Sequence, residues 1–189
     1  MKPYQIPSGS MKPTLDDGQR VLVNRLSTKL GGDPEIGDIY VFHPPKGADA
    51  GRQCGAEPVT GNGNGATVDD PDAVTYDPAD QACPLPTPEE SEENFIKRVV
   101  AGPGDRLRIE DGKTIVNGVP AEEPFIRDCG GGGGCNLTEE IEIPPDHYFM
   151  MGDNRGASDD SRFWGPVPRD QFIGQAFATY WPPDRVGIF

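Results

Sequence analysis

The chain has 189 residues, with 25 glycines, 21 prolines, 34% hydrophobic residues and a formal net charge of −14. That length carries one ordinary domain, or one with a decorated insertion, and the turn-rich, apolar-poor composition favours many short strands over packed helices. The acidic balance speaks against nucleic acid as a partner, since binding phosphates needs a basic face, and no apolar run approaches the ~20 residues that span a bilayer.

In chain order, the first segment that stands out is "IPSGSMKPTL" at 6–15. Ser8 and Ser10 flank Gly9, and Pro13 follows closely, so the segment suits neither a helix nor a regular strand. Two hydroxyls held in an irregular shape raise the question of a nucleophile and of its base. The runs "QRVLVNRL" at 19–26 and "DIYVFHP" at 38–44 then read as strands, bounded by turn residues.

Between Lys46 and Glu93 the character changes, to 6 Gly, 6 Pro and 11 acidic residues against one Lys and one Arg. A tract of this kind cannot bury enough apolar surface for a core of its own, so 45–94 is expected to be a disordered insertion. A lid that selects substrate is the functional alternative. Four cysteines, Cys54, Cys83, Cys129 and Cys135, permit three disulfide connectivities. Local loop closure favours Cys54 with Cys83 and Cys129 with Cys135, in an oxidising compartment. Free thiols in a reducing one are the alternative. The C-x2-C zinc spacing is absent, and no metal or other cofactor is expected.

Further strands are expected in "FIKRVV" at 95–100, "DRLRIEDGKTIVNGVPA" at 105–121, "EEIEIP" at 139–144, "HYFMMG" at 147–152 and "FIGQAFATYW" at 172–181. Asp111-Gly112 and Asn117-Gly118 are two-residue hairpin signals, so antiparallel pairing follows. The five glycines at 130–134, between Cys129 and Cys135, form a flexible loop.

The histidines, His43 and His147, both sit at strand ends and are poor candidates for the base. Lys97 is the better one. In a strand it shares a face with Phe95 and Val99, an apolar strip that disfavours a charged amine, although the ordinary fate of such a lysine is to snorkel to water. In "MGDNRGASDDSRFWGPV" at 151–167, Asp153 and Asn154 suit a turn, while Asp160 and Arg162, two apart in an extended chain, can pair on one side.

Four segments in order, "IPSGSMKPTL", "IGDIYVF", "FIKRVVAGPGDRL" and "FMMGDNRGASDDSRFWGPV", resemble the boxes of the type I signal peptidases. These are membrane-bound Ser-Lys proteases that remove secretory signal peptides. The resemblance implies Ser10 as nucleophile, Lys97 as general base, and Ser8 as an oxyanion-hole hydroxyl beside the Ser10 backbone N–H. It also implies that Ser158 hydrogen-bonds and orients the lysine, that Gly152 leaves room around it, and that Asp160 and Arg162 form a structural ion pair. His147 matches no catalytic position. Family members carry membrane-spanning helices before the serine box, so the resemblance implies an extracytoplasmic portion that acts at the membrane surface on the signal peptides of exported preproteins.

The expected fold is therefore mainly β. An antiparallel catalytic core comprises 1–44, 95–107 and 148–189, with a smaller β-subdomain at 108–147 and the acidic insertion at 45–94. Two rival readings are a self-cleaving Ser-Lys repressor, for which the chain has no room for a DNA-binding module, and a disulfide-braced extracytoplasmic binding module with structural serines.

Overall fold

The computed structural model describes residues 1–26, 31–48, 53–58, 74–131 and 133–189. Its strands in chain order are β1 (Lys2–Gln5), β2 (Arg20–Asn24), β3 (Ile39–Phe42), β4 (Glu57–Pro58), β5 (Thr75–Tyr76), β6 (Phe95–Ala101) and β7 (Arg106–Glu110). There follow β8 (Lys113–Val116), β9 (Val119–Pro120), β10 (Leu137–Glu142), β11 (His147–Met151), β12 (Val167–Pro168), β13 (Phe172–Trp181) and β14 (Gly187–Ile188). The fold is mainly β, as the turn-rich composition requires.

The main sheet runs β1-β2-β13-β3-β6-β11-β12, with β14 also paired to β13. Its pairings are antiparallel throughout. The long strand β13 takes β2 on one edge and β3 on the other, and its residues alternate in burial along most of its length. Strand β6 lies inside the sheet between β3 and β11, and is buried from Ile96 to Ala101. Lys97 and Arg98 are therefore carried into the interior by their apolar neighbours.

A second antiparallel sheet, β10-β7-β8-β9, occupies 106–142. Its hairpins turn at Asp111-Gly112, with φ of 50° and 75°, and at Asn117-Gly118, with φ of 53° and 79°. Positive φ at both central positions gives the turn the twist that the flanking strands need. Leu107, Ile109, Leu137 and Ile141 of this sheet share one apolar cluster with Val100, Phe149 and Met151 of the main sheet. The two sheets are packed together there.

Cys54 is bonded to Cys83, and Cys129 to Cys135. The described parts of the acidic tract rest on the core: β4 and β5 pair in parallel, Ala56, Ala82 and Cys83 are buried, and the Cys83 N–H donates to the Arg162 carbonyl at 3.0 Å. The rest of that tract, 49–52 and 59–73, lies outside the described residues, as does the central glycine of the 130–134 run. Strand β1, "KPYQ", has no β-branched run to announce it and exists through its four-residue pairing with β2. Among the described residues no helix is long and apolar enough to cross a membrane.

Candidate active site

The segment around Ser10 is irregular, as its Gly and Pro content predicts. Gly9–Met11 form a single 3-10 turn entered from an extended Ser8. Met11 and Leu15 are fully buried and anchor the turn in the apolar cluster that includes Ile96 of β6. This anchoring brings the turn against β6, where Lys97 Nζ donates to Ser10 Oγ at 2.7 Å. Residues from opposite parts of the chain thus meet in a pair that is 5% exposed at Lys97 and 7% at Ser10. Lys97 does not snorkel: it is buried, and its amine is held by Ser10 of the 3-10 turn that lies against β6.

Burial pushes the Lys97 amine down from 10.5 to about 8, against the pull of the Asp160 and Asp159 carboxylates and, more weakly, Asp153; Arg162 adds to the downward push. Desolvation disfavours the charged ammonium, and the acids recover only part of that cost. The amine also lies 5.6 Å from the centre of the Phe95 ring.

Ser8 Oγ lies 3.3 Å from Ser10 Oγ, so the second hydroxyl reaches the nucleophile position. Asp160 and Arg162 pair as expected, but not across an extended chain. Asp160 caps the short helix Ser161–Trp164, and its carboxylate takes Arg162 Nε at 2.7 Å and Nη2 at 2.9 Å. A helical turn, not a strand, folds the two side chains together. Burial works against the Asp160 charge, but the Arg162 guanidinium overcomes it and holds the carboxyl below the usual range. Arg162 further binds the carbonyls of Arg155 and Ser158, which shapes the turn carrying Ser158.

Ser158 departs from the expectation. Its buried Oγ has no hydrogen-bond partner, and Lys97 bonds Ser10 instead. At Gly152, expected to leave room around the lysine, the space that a Cβ would fill belongs instead to Ser158 and to the Ser10 carbonyl oxygen. His43 and His147 bond the Glu93 and Pro145 carbonyls through Nδ1 and stand apart from the pair.

Four residues of the site, Arg98, Asp153, Thr14 and Asn154, are not foreseen from the sequence as parts of it. Arg98 grips Asp153 through Nε at 2.9 Å and Nη2 at 2.6 Å, and Thr14 Oγ1 donates to the same carboxylate at 2.5 Å. Asn154 donates from its backbone to the Ser10 carbonyl and from its side chain to the Gly9 carbonyl, both at 3.0 Å. The available signal is Arg98 itself, because a guanidinium on a strand face shared with Ile96 and Val100 demands a buried acid.

Ser10 and Lys97 open into a cleft of about 340 Å³, also lined by Pro7, Ser8, Phe95, Ile96 and Asp159. A hydroxyl bonded to a buried amine of lowered pKa, with a second hydroxyl beside it and a groove in front, is equipped for nucleophilic attack on a carbonyl.

A family model described as signal peptidase, peptidase S26, matches residues 1–181. The chain is 32% identical over 183 residues to probable signal peptidase I-2 of Synechocystis sp., an alignment covering 97% of this chain and 64% of that protein. It is 32% identical over 188 residues to thylakoidal processing peptidase 1, chloroplastic, of Arabidopsis thaliana, covering 98% of this chain and 43% of that protein. It thus spans less than two thirds of either relative. A crystal structure of a signal peptidase I from Enterococcus faecalis V583 aligns with 76% of this chain and 96% of its own, at 20% identity and a TM-score of 0.42.

Proposed function

We propose that this chain, which belongs to the signal peptidase family, peptidase S26, is a serine endopeptidase that removes signal peptides from exported preproteins, with Ser10 as nucleophile and Lys97 as general base. The observation that carries this reading is the buried 2.7 Å contact between Lys97 Nζ and Ser10 Oγ. With the amine neutral, Nζ takes the Ser10 hydroxyl proton as Oγ attacks the scissile carbonyl carbon. The oxyanion is met by the Ser8 hydroxyl and the Ser10 N–H. As the tetrahedral intermediate collapses, the ammonium of Lys97 returns the proton to the leaving amine. Lys97 then deprotonates the water that hydrolyses the acyl-enzyme.

The substrate, by kinship, is an extended peptide with small residues at the first and third positions before the cut, laid along a strand edge. The setting is the extracytoplasmic face of the cell membrane, with the membrane surface as a partner. A self-cleaving repressor and a binding module are the competing readings. Incubation with a synthetic signal peptide tests all three: a single cut after a small residue, abolished by Ser10→Ala, is expected. A chain that cuts only itself supports the repressor-type reading, and one that makes no cut supports the binding module.

A further inference from the structure

The peptide unit joining Gly9 to Ser10 carries the Gly9 carbonyl at one end and the Ser10 N–H at the other. A trans peptide is planar and points these groups in opposite directions, so whatever holds the carbonyl also aims the N–H. Two donors hold it: Asn154 Nδ2 at 3.0 Å and the Lys12 N–H at 3.2 Å. The backbone N–H of Asn154 holds the next carbonyl, that of Ser10, at 3.0 Å. One residue of a distant turn therefore grips the backbone on both sides of the nucleophile's nitrogen.

The asparagine is not simply serving its own turn. It stands at the N-cap of the 3-10 turn Arg155–Ala157, where an Asn side chain ordinarily accepts from the backbone ahead, yet it makes no such capping bond. Its amide is instead spent as a donor across the site. The neighbouring Asp153, locked by Arg98 and Thr14, fixes the turn from which it reaches.

We propose that Asn154 is a positioning residue for the oxyanion hole, which sets the plane of the Gly9–Ser10 peptide and strengthens its N–H as a donor. This rests on the peptidase reading above, in which that N–H meets the oxyanion. A hydrogen bond to a peptide carbonyl polarises the whole unit, so the gain at the N–H is cooperative and costs no rearrangement during the reaction. The benefit falls on the transition state and not on the bound peptide, so it acts on kcat and not on KM.

Direct removal of an oxyanion donor costs about a hundredfold to a thousandfold in kcat, and an indirect contribution is expected to be worth about tenfold to a hundredfold. The test compares wild type with Asn154→Ala, Asn154→Ser and the near-isosteric, uncharged Asn154→Leu on a synthetic signal peptide. It also measures inhibition by a peptide aldehyde of the same sequence, whose hemiacetal oxygen occupies the hole. The expected result is a fall of about tenfold or more in kcat, with KM within about twofold. Aldehyde inhibition should weaken by the same factor, and the pH at half-maximal rate should not move. A folded variant with kcat within threefold of wild type overturns the proposal. So does a loss that appears in KM, or one accompanied by a shifted pH profile, which would place Asn154 in peptide binding or beside Lys97. Should Asn154→Ala fail to fold, Asn154→Leu and Asn154→Ser decide. A wild-type chain that makes no cut ends the peptidase reading and this proposal together, whereas a normal wild type with unaffected variants ends this proposal alone.

Discussion

Lys97 and Arg98 are adjacent in one buried strand, and each has its own partner: Lys97 the Ser10 hydroxyl, Arg98 the Asp153 carboxylate. The guanidinium, which stays charged at any ordinary pH, has its buried charge balanced by a carboxylate at bonding distance. The ammonium, offered a neutral hydroxyl, is pushed down to about 8. The strand thus supplies a structural cation and a usable base side by side. If Lys97 is that base, Lys97→Met and Lys97→Arg should both fold and lose at least about a thousandfold in turnover, matching Ser10→Ala without adding to it. A folded Lys97→Arg variant with more than about a tenth of wild-type turnover would end the Ser-Lys assignment.

The same pKa fixes two pH dependences. Activity needs the neutral amine, so the rate should climb through an apparent pKa near 8. Asp159→Asn removes a carboxylate that favours the ammonium and should move that limb to lower pH. For stability the sign follows from proton counts. Between pH 8 and 10.5 the unfolded lysine binds a proton that the folded one has released, so stability rises with pH across that window. Below it the folded chain bears the full penalty, of order 3 kcal/mol. Lys97→Met should therefore raise Tm most at neutral pH, with the gain shrinking toward pH 10.5. An equal gain at both ends would mean that the amine is not desolvated in the native state.

Asp153 is the second electrostatic test. Asp153→Ala strips a buried guanidinium of its acid and should cost about 3 to 5 kcal/mol, read as a lower urea midpoint at unchanged slope. Arg98→Met combined with Asp153→Leu removes both charges and should cost far less than the two single changes summed. Additive losses would show that the pair does not act as a unit.

Much of this fold is legible in the amino-acid sequence. Strand β13 falls at 172–181 as the apolar aromatic run predicts, and the Asp-Gly and Asn-Gly pairs turn where they should. These are local signals with local causes. The state of Lys97 is not legible in that way, because a strand lysine flanked by Phe95 and Val99 is compatible with snorkelling, and it is the distant turn carrying Ser10 that covers its amine. Asp153 and Asn154 carried an honest turn signal that hid their tertiary partners, Arg98 and Gly9, far away in sequence. Ser158 comes to the site by resemblance alone, and the bond to the lysine that the resemblance implies is not made, since Ser158 Oγ has no hydrogen-bond partner.

The two disulfides should differ in worth. Cys54–Cys83 closes a loop with a sequence separation of 29, and Cys129–Cys135 one of 6. Loop entropy assigns about 3 to 4 kcal/mol to the first and about 2 to the second. Cys54→Ser with Cys83→Ser should therefore lower the melting point more than Cys129→Ser with Cys135→Ser. The first bridge also ties down the segment whose Cys83 N–H supports the Arg162 carbonyl, so its loss should be the one that also reduces turnover. Mass spectrometry of the unreduced protein should find no free thiol, and two free thiols at 129 and 135 would contradict the smaller bridge.

Gly152 offers the sharpest steric test. It is pinned at both ends, its N–H donating to Asp160 Oδ2 and its carbonyl accepting from Arg155 Nε, each at 3.1 Å. The backbone cannot retreat from an added methyl without breaking buried bonds to charged side chains. That methyl would run into Ser158 Oγ on one side and the Ser10 carbonyl oxygen on the other. Rotating the serine hydroxyl leaves the Ser158 Cβ still at 2.6 Å, and the carbonyl belongs to the nucleophile's own backbone, so the strain passes to Ser10. A displacement of about 1 Å at a reacting group costs about a hundredfold, and Gly152→Ala is expected to lose at least that much in kcat. Gly187, with nothing near its missing Cβ, is the control, and Gly187→Ala should be silent. Adding Ser158→Gly to Gly152→Ala relieves one of the two collisions and should restore only part of the rate. Full recovery in that double variant would show that the methyl acts through Ser158 alone and leaves Ser10 in place.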